Sequence, residues 1–446
     1  MAMQLVRKKA PRGALYRELT ATEEDVVKNV CGLGKVRSAR DKETALAVLK
    51  EMRQHEVWLS CGCMPGDETP MNSAKLMQET QTLFLAGFNA PHSKDCPMFR
   101  LIKGDEKTTA IGARRQSGSK PVNYRDFLPH EESDATLKAP TPAARGFEDK
   151  TQRTQLPRLA RLLLTLIEAA GLNVIDTLWP MPERPAREAI AALNMVTAQH
   201  QFIRGRLLSE IVRLQPTMSL AAQENLMNKL EQPNKPWPAG KARIFYQIFM
   251  SDQISREIAI FTFNGGQQEF RPNKEISING EMQDGLRPPY WVILSFLRAD
   301  DGKIVCNEGY AHALFRRNCP LPVDSGLERQ TIKSIIEAAN WIHKLKGVTP
   351  PALSLKKPVF DIEVDHEGEK GFVLPDFILT AIPPGGTENN IVIETMGYTD
   401  DDYCERKAEQ HKGMRQIGKL YTDPPRWPHE EKQQFTNHLY GILKNL

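Results

Sequence analysis

Three things are scarce in this sequence of 446 residues: long apolar runs, a strong charge of one sign, and a regular cysteine pattern. The most apolar stretch, Leu159 to Ile175, is interrupted by Arg161 and Glu168. That excludes a membrane span and reads as an amphipathic helix. Arg7, Lys8, Lys9, Arg12 and Arg17 crowd the N-terminus with no hydrophobic run after them. No secretory signal is expected, and the segment reads as a basic arm. Seven cysteines are an odd number in a long chain without such a signal. A disulfide framework is not expected, and a reducing cytoplasm is the expected location. Lys and Arg total 59 against 55 Asp and Glu, a net charge of +4 with neutral histidine. This balance permits nucleic-acid binding without demanding it, because a local basic groove matters more than the sum.

What is there suits a folded multidomain protein. A hydrophobic share of 40% with 26% charged residues excludes global disorder, and the length predicts two to four domains. No internal repeat is present. Glu23–Asn29 and Lys42–His55 have helical composition, and Glu56–Ser60 and Thr82–Phe88 have strand character. This first domain is expected over residues 1–103. Residues 104–154 are weakly apolar and read as a linker. Arg114, Arg115 and Lys120 lie in it, either as solvated surface or as phosphate contacts for a nucleic acid. Residues 155–233 read as a small helical or winged-helix bundle, with Leu159, Leu162, Leu163, Leu166 and Ile167, and again Ile203, Leu207, Leu208 and Ile211, at helix spacing. Residues 234–320 read as β-rich, with turn signals at Asn264-Gly265-Gly266 and Asp300-Asp301-Gly302. Residues 321–446 follow an α-β-β-β-α order: a helix over Ser325–Lys346, strands over Pro358–Asp365, Phe372–Thr380 and Ile391–Met396, and a helix over Asp401–Leu420.

Four residues with metal-ligand chemistry fall in two close pairs. Cys61-Gly62-Cys63 follows one expected strand, and His92-Ser93-Lys94-Asp95-Cys96 follows another. Pro91 and Pro97 flank the second pair and place it on a turn. Three soft sulfurs and one imidazole suit a closed, structural zinc site; the alternative is a set of reduced cysteines beside an unrelated surface histidine. The arrangement is similar to small zinc modules that touch nucleic acid or protein partners.

Two acids stand where acids are costly. Asp376 follows Pro375, and Glu394 lies inside Ile391-Val392-Ile393-Glu394-Thr395-Met396. An ionised carboxylate in such a strand must be paired or bind a cation. Two on neighbouring strands can share Mg²⁺. Glu328 lies on the buried stripe of the preceding helix, four residues before Ile332, and is expected to face the sheet.

At these residues the sequence resembles the PD-(D/E)XK nucleases, which have the restriction-endonuclease-like fold, over about residues 322–420. With the residue patterns above, the expected fold class is multidomain α+β: a zinc-binding N-terminal module, a helical middle and a β-rich segment, followed by the C-terminal α/β restriction-endonuclease-like core that the resemblance implies. The resemblance also implies that Asp376 and Glu394 hold Mg²⁺ or Mn²⁺, with Glu328 as the helix glutamate. The family's lysine, two residues after the second acid, is replaced here by Met396. Tyr403, Lys407 and His411 share one face of the following helix at i, i+4 spacing, with Lys412 one step off it. Lys407 is the candidate for a migrated lysine, His411 for orienting water or touching the scissile phosphate, and Tyr403 and Lys412 for contacting DNA. The alternatives are a structural Glu394–Lys407 pair and an ordinary solvated helix surface. The whole arrangement also looks like an uncharacterised bacterial family found with mobile elements. The expected function is DNA phosphodiester hydrolysis in a mobile-element or genome-defence setting, with DNA and a protein from the same operon as partners and no membrane. The second reading is a non-catalytic zinc-containing binding factor on an inactive nuclease fold.

Overall fold

The structure is a computed structural model that describes residues 3–9, 11–32, 38–64, 69–77, 82–87, 92–93, 96–98, 123–130, 156–181, 183–214, 218–263, 265–279, 288–366, 369–399, 401–429 and 433–446. It is a mixed α/β multidomain chain. The contacts divide it into two units: Met1–Ala110 with Met396–Gln410 and Arg426–Lys432, and Ile111–Thr395 with His411–Pro425 and Gln433–Leu446. Arg114, Arg115 and Lys120 lie outside the described residues. No helix among the described residues is long and apolar enough to cross a membrane.

The first unit carries a five-stranded antiparallel sheet. Its strands lie in the order Leu15–Glu18, Met3–Arg7, Val57–Cys61, Met71–Met77, Thr82–Gly87. Helices Ala21–Cys31 and Ala39–Gln54 begin at capping boxes, Thr20 with Glu23 and Ser38 with Asp41. Each such cap contributes about 1 kcal/mol. Val27, Val48, Leu49 and Met52 from the helices share one core with Met3, Leu5, Val57 and Leu59 from the strands. The expected basic arm is corrected here. Its residues form the first two strands and the turn between them, and several of its cations are met by side chains of the same unit. The Arg17 guanidinium meets Glu51 at 2.7 Å and Glu23 at 2.9 Å, Lys9 meets Glu56 at 2.8 Å, and Arg12 stacks 4.9 Å from the Trp58 ring.

In the second unit, helices Arg158–Ala169, Ala186–Gln199 and Leu220–Leu230 precede a sheet whose central strands are Ile244–Ser251, Tyr290–Arg298 and Ile304–Arg316. All eight residues of Ile244–Ser251 are buried, as expected for a strand covered on both faces. Leu162, Leu163, Leu166 and Ile167 join Phe245, Ile248, Trp291 and Ile293 in one core that continues into Ile332, Ile335, Leu355 and Leu379.

The C-terminal sheet runs Lys419–Asp423, Asn389–Thr395, Phe377–Ile382, Ala352–Lys356, Val174–Ile175. The first two strands are parallel, so a crossover must join them, and helix Asp401–Met414 lies in that crossover. The tight entry to Lys419–Asp423 requires glycine, because a Cβ at Gly418 would overlap the Asn390 carbonyl. Helix Gly326–Lys344 buries Ile332, Ile335, Ala339 and Ile342, the stripe the sequence predicts. The expectations change in three respects. The expected strand Phe372–Thr380 is divided between Glu369–Val373 and Phe377–Ile382, and the expected helix Asp401–Leu420 ends at Met414, with Leu420 in strand Lys419–Asp423. Pro358–Asp365 does not enter this sheet. Ile362–His366 pairs with Glu369–Val373 in a hairpin of its own, packed through Val364 and Val373 on Val392 and Met414. The sheet's first strand is Ala352–Lys356, and Pro375 separates the hairpin from Phe377–Ile382.

Candidate functional site

Two clusters stand out, one in each unit. In the first, strand Val57–Cys61 ends in Cys61, fully buried, and the turn after it presents Cys63. His92 and Cys96 are also buried. The ligand atoms of all four lie within 4.8 Å of one another, and they form the metal-type cluster of three or more His, Cys, Asp or Glu groups among the described residues. The Cys61 and Cys96 sulfurs are 3.9 Å apart, and His92 Nδ1 is 3.4 Å from the Cys63 sulfur and 3.6 Å from that of Cys96. A tetrahedron with usual zinc–sulfur and zinc–nitrogen bonds needs edges of roughly 3.5–3.8 Å. The four atoms fit zinc. His92 Nε2 lies 3.3 Å from Asn72 Oδ1, the kind of outer hydrogen bond that fixes the tautomer of a ligating histidine. Burial pushes the Cys61 thiol up to about 12 and raises that of Cys96, while it lowers His92 toward the neutral form.

The second cluster is built on the C-terminal sheet. Phe377 pairs with Ile393, so Asp376 and Glu394 stand at the same end of adjacent strands. The Asp376 N–H donates to Glu394 Oε1 at 2.9 Å, and the Thr395 N–H donates to Asp376 Oδ2 at 2.8 Å. Each carboxylate is thereby oriented by the backbone beside the other. Glu394 is fully buried and Asp376 nearly so. Glu328 is buried at the start of helix Gly326–Lys344, where Ser325 Oγ accepts its N–H at 3.1 Å and its own Oε2 accepts the Asp324 N–H at 2.9 Å.

The group the sequence did not reveal is Lys357, only 3% exposed. Its ammonium lies 2.9 Å from Glu328 Oε2, 3.0 Å from Asp324 Oδ2 and 3.8 Å from Asp376 Oδ1. Asp324 Oδ1 accepts from Asn279 Nδ2 at 2.8 Å and lies 3.7 Å from Nε2 of buried His312, whose Nδ1 meets the Tyr310 hydroxyl at 2.8 Å. Lys357 carries little sequence signal, since Lys356-Lys357-Pro358 reads as a solvated turn.

On helix Asp401–Met414, Tyr403, Lys407 and His411 are all buried, so this face is packed rather than solvated; Lys412 is exposed. Tyr403 and Lys407 fall in the first unit and His411 in the second. Lys407 Nζ lies 5.9 Å from the Tyr403 ring, which packs edge-on against Tyr398 and Trp427.

Comparison with known proteins finds three matched segments. Residues 324–441 match the family model of a restriction endonuclease-like C-terminal domain. Residues 3–101 and 120–314 match two domains of unknown function, DUF8534 and DUF8535. The chain is 51% identical over 202 residues to an uncharacterized protein in the cib 5'region of Escherichia coli, a match covering 45% of this chain and 93% of that protein. No solved structure matches.

Proposed function

We propose that this chain, which belongs to the same family as the uncharacterized protein in the cib 5'region of Escherichia coli, is a metal-dependent nuclease that hydrolyses DNA phosphodiester bonds. The observation that carries the reading is the reciprocal hold between Asp376 and Glu394, in a domain that is restriction endonuclease-like. Two oriented, buried carboxylates with hard oxygen donors fit Mg²⁺ or Mn²⁺. When bound, the ion supplies Lewis-acid polarisation of the phosphoryl oxygen and a lowered pKa for water. Asp376 and Glu394 hold it and fix its position relative to the strand ends. In the reaction, a water oxygen bonds to phosphorus and the bond to one bridging ester oxygen breaks. Water's proton leaves to solvent, and the departing oxygen gains one. In this reading His411 orients water and exposed Lys412 meets the DNA, while Tyr403, expected at the DNA, and Lys407, the sequence's candidate for the migrated lysine, are both buried. Arg114, Arg115 and Lys120 extend the grip through phosphates, which position the substrate without reading its sequence. The Cys61, Cys63, His92 and Cys96 cluster holds a structural zinc. A mobile-element or genome-defence setting, with a partner from the same operon, completes the reading.

The second reading, a binding factor on an inactive nuclease fold, is favoured by Met396 at the usual lysine position. Purified protein with plasmid, linear and single-stranded DNA, with Mg²⁺ or Mn²⁺, beside Glu394→Ala, separates them. Cleavage that needs the metal and vanishes in Glu394→Ala is expected. Absence of cleavage on every substrate, with DNA affinity retained, leaves the binding factor.

A further inference from the structure

We infer that Lys357 is the cation of the Asp376–Glu394 site, the group presented to the scissile phosphate in place of the lysine absent at position 396. The inference rests on the nuclease reading and deepens it.

Strand pairing decides where residue 357 stands. Ala352–Lys356 runs antiparallel to Phe377–Ile382 with Lys356 opposite Ile378. The next residue along the first strand, Lys357, is therefore carried to the end of the neighbouring strand that bears Asp376. Its backbone is held on both sides by buried Asn173. The Lys357 N–H donates to the Asn173 carbonyl at 2.8 Å, and Asn173 Nδ2 donates to the Lys357 carbonyl at 3.0 Å. Pro358 restricts Lys357 to extended backbone. The ammonium then meets two carboxylates from the start of helix Gly326–Lys344, Asp324 and Glu328, and lies 3.8 Å from the Asp376 carboxylate.

Burying a lysine costs several kcal/mol unless its charge is met. Asp324 and Glu328 meet it, which makes them positioning residues. They hold the ammonium within reach of the metal-ligand pair without taking part in the pair's backbone hydrogen bonds. The role of Lys357 is electrostatic. It forms no bond and transfers no proton, and its fixed charge stabilises the negative charge that builds on the phosphoryl oxygens.

The test compares the full chain with Lys357→Met, Lys357→Arg, Asp376→Asn and the double variant Glu328→Gln/Lys357→Met. Plasmid cleavage with Mn²⁺, Mn²⁺ affinity without DNA, DNA affinity in Ca²⁺ and melting temperature are measured. Lys357→Met should cut about 100- to 1000-fold more slowly with DNA affinity kept, and Lys357→Arg should retain most of the rate. Removing a positive charge beside Asp376 should tighten Mn²⁺ binding several-fold in Lys357→Met, whereas Asp376→Asn should lose it. The double variant removes both members of the buried pair and should fold like the parent while remaining slow. A double variant that cuts at the parental rate would make Lys357 a structural ion and overturn the inference. So would a Lys357→Met variant with parental rate and parental Mn²⁺ affinity. If the parent cuts and Asp376→Asn does not, either result sinks only the role of Lys357. If the parent cuts nothing, the nuclease reading and this role fall together.

Discussion

Asp376 and Glu394 hold one another across two strands. The backbone N–H of the first donates to the carboxylate of the second at 2.9 Å, and the Thr395 N–H beside the second donates to the carboxylate of the first at 2.8 Å. A carboxylate tied to the backbone in this way cannot rotate freely, so both acids are oriented before any ligand arrives. That preorganisation is what metal binding at two protein oxygens needs.

Asp376→Asn and Glu394→Gln should separate chemistry from stability. Each keeps an oxygen to accept the backbone N–H and removes one negative ligand. Metal-dependent cleavage should fall by about a thousandfold or more in each, while the melting temperature stays level or rises, because a buried charge is lost. Rate measurements beside thermal unfolding check both halves.

The Cys61, Cys63, His92 and Cys96 cluster should carry about one zinc per chain by elemental analysis, lost in Cys61→Ser or Cys96→Ser. Its affinity should rise with pH. Burial holds the Cys61 thiol up to about 12 and raises Cys96, so both are protonated at neutral pH without metal, and zinc must displace both protons. Each proton displaced from a thiol makes the affinity about tenfold tighter per pH unit, so Cys61 and Cys96 alone give about a hundredfold, and Cys63, the third sulfur ligand, adds to it. Competition with a chelator between pH 6 and 8 reads this slope. A flat profile would mean that the thiols are not displaced.

The buried pair Glu328 and Lys357, 2.9 Å apart, should behave as a unit in folding. Glu328→Gln and Lys357→Met should each destabilise by about 3 kcal/mol, since each leaves its partner less compensated. The double variant should recover part of that loss, because Asp324, 3.0 Å from the removed ammonium, stays behind, and a double-mutant cycle followed by denaturant unfolding should still show a coupling.

Arg114→Ala with Arg115→Ala should flatten the salt dependence of DNA binding. Each lost phosphate contact lowers the slope of log affinity against log salt by about 0.9 on duplex DNA. An unchanged slope would assign the two arginines to solvated surface.

The acids were legible because they break a pattern. Glu394 interrupts an apolar strand, and a buried charge there has few explanations. Glu328 was legible through the helix period that places it on the stripe of Ile332 and Ile335. The cysteines and histidine were legible by spacing, because soft ligands in close pairs have a short list of uses. Alternation misled at Pro358–Asp365. Period two reports one dry face and says nothing of which sheet supplies it, and Val364 found its cover in Val373, Val392 and Met414.

Local chemistry in the chain therefore determined which residues bear the acids, the metal-type ligands and the helix stripes, since each follows from neighbours within a few positions. Only the tertiary structure decided what charge faces those acids. Lys357 is an ordinary lysine before a proline until the pairing of Lys356 with Ile378 carries it beside Asp376. The docking of helix Gly326–Lys344 then brings Asp324 and Glu328 to its ammonium. The same holds for Arg17, which reads as part of a basic arm and folds as the partner of Glu23 and Glu51. A charge is a local property of the sequence. Its compensation depends on groups many residues away, and a low-dielectric interior makes that compensation obligatory.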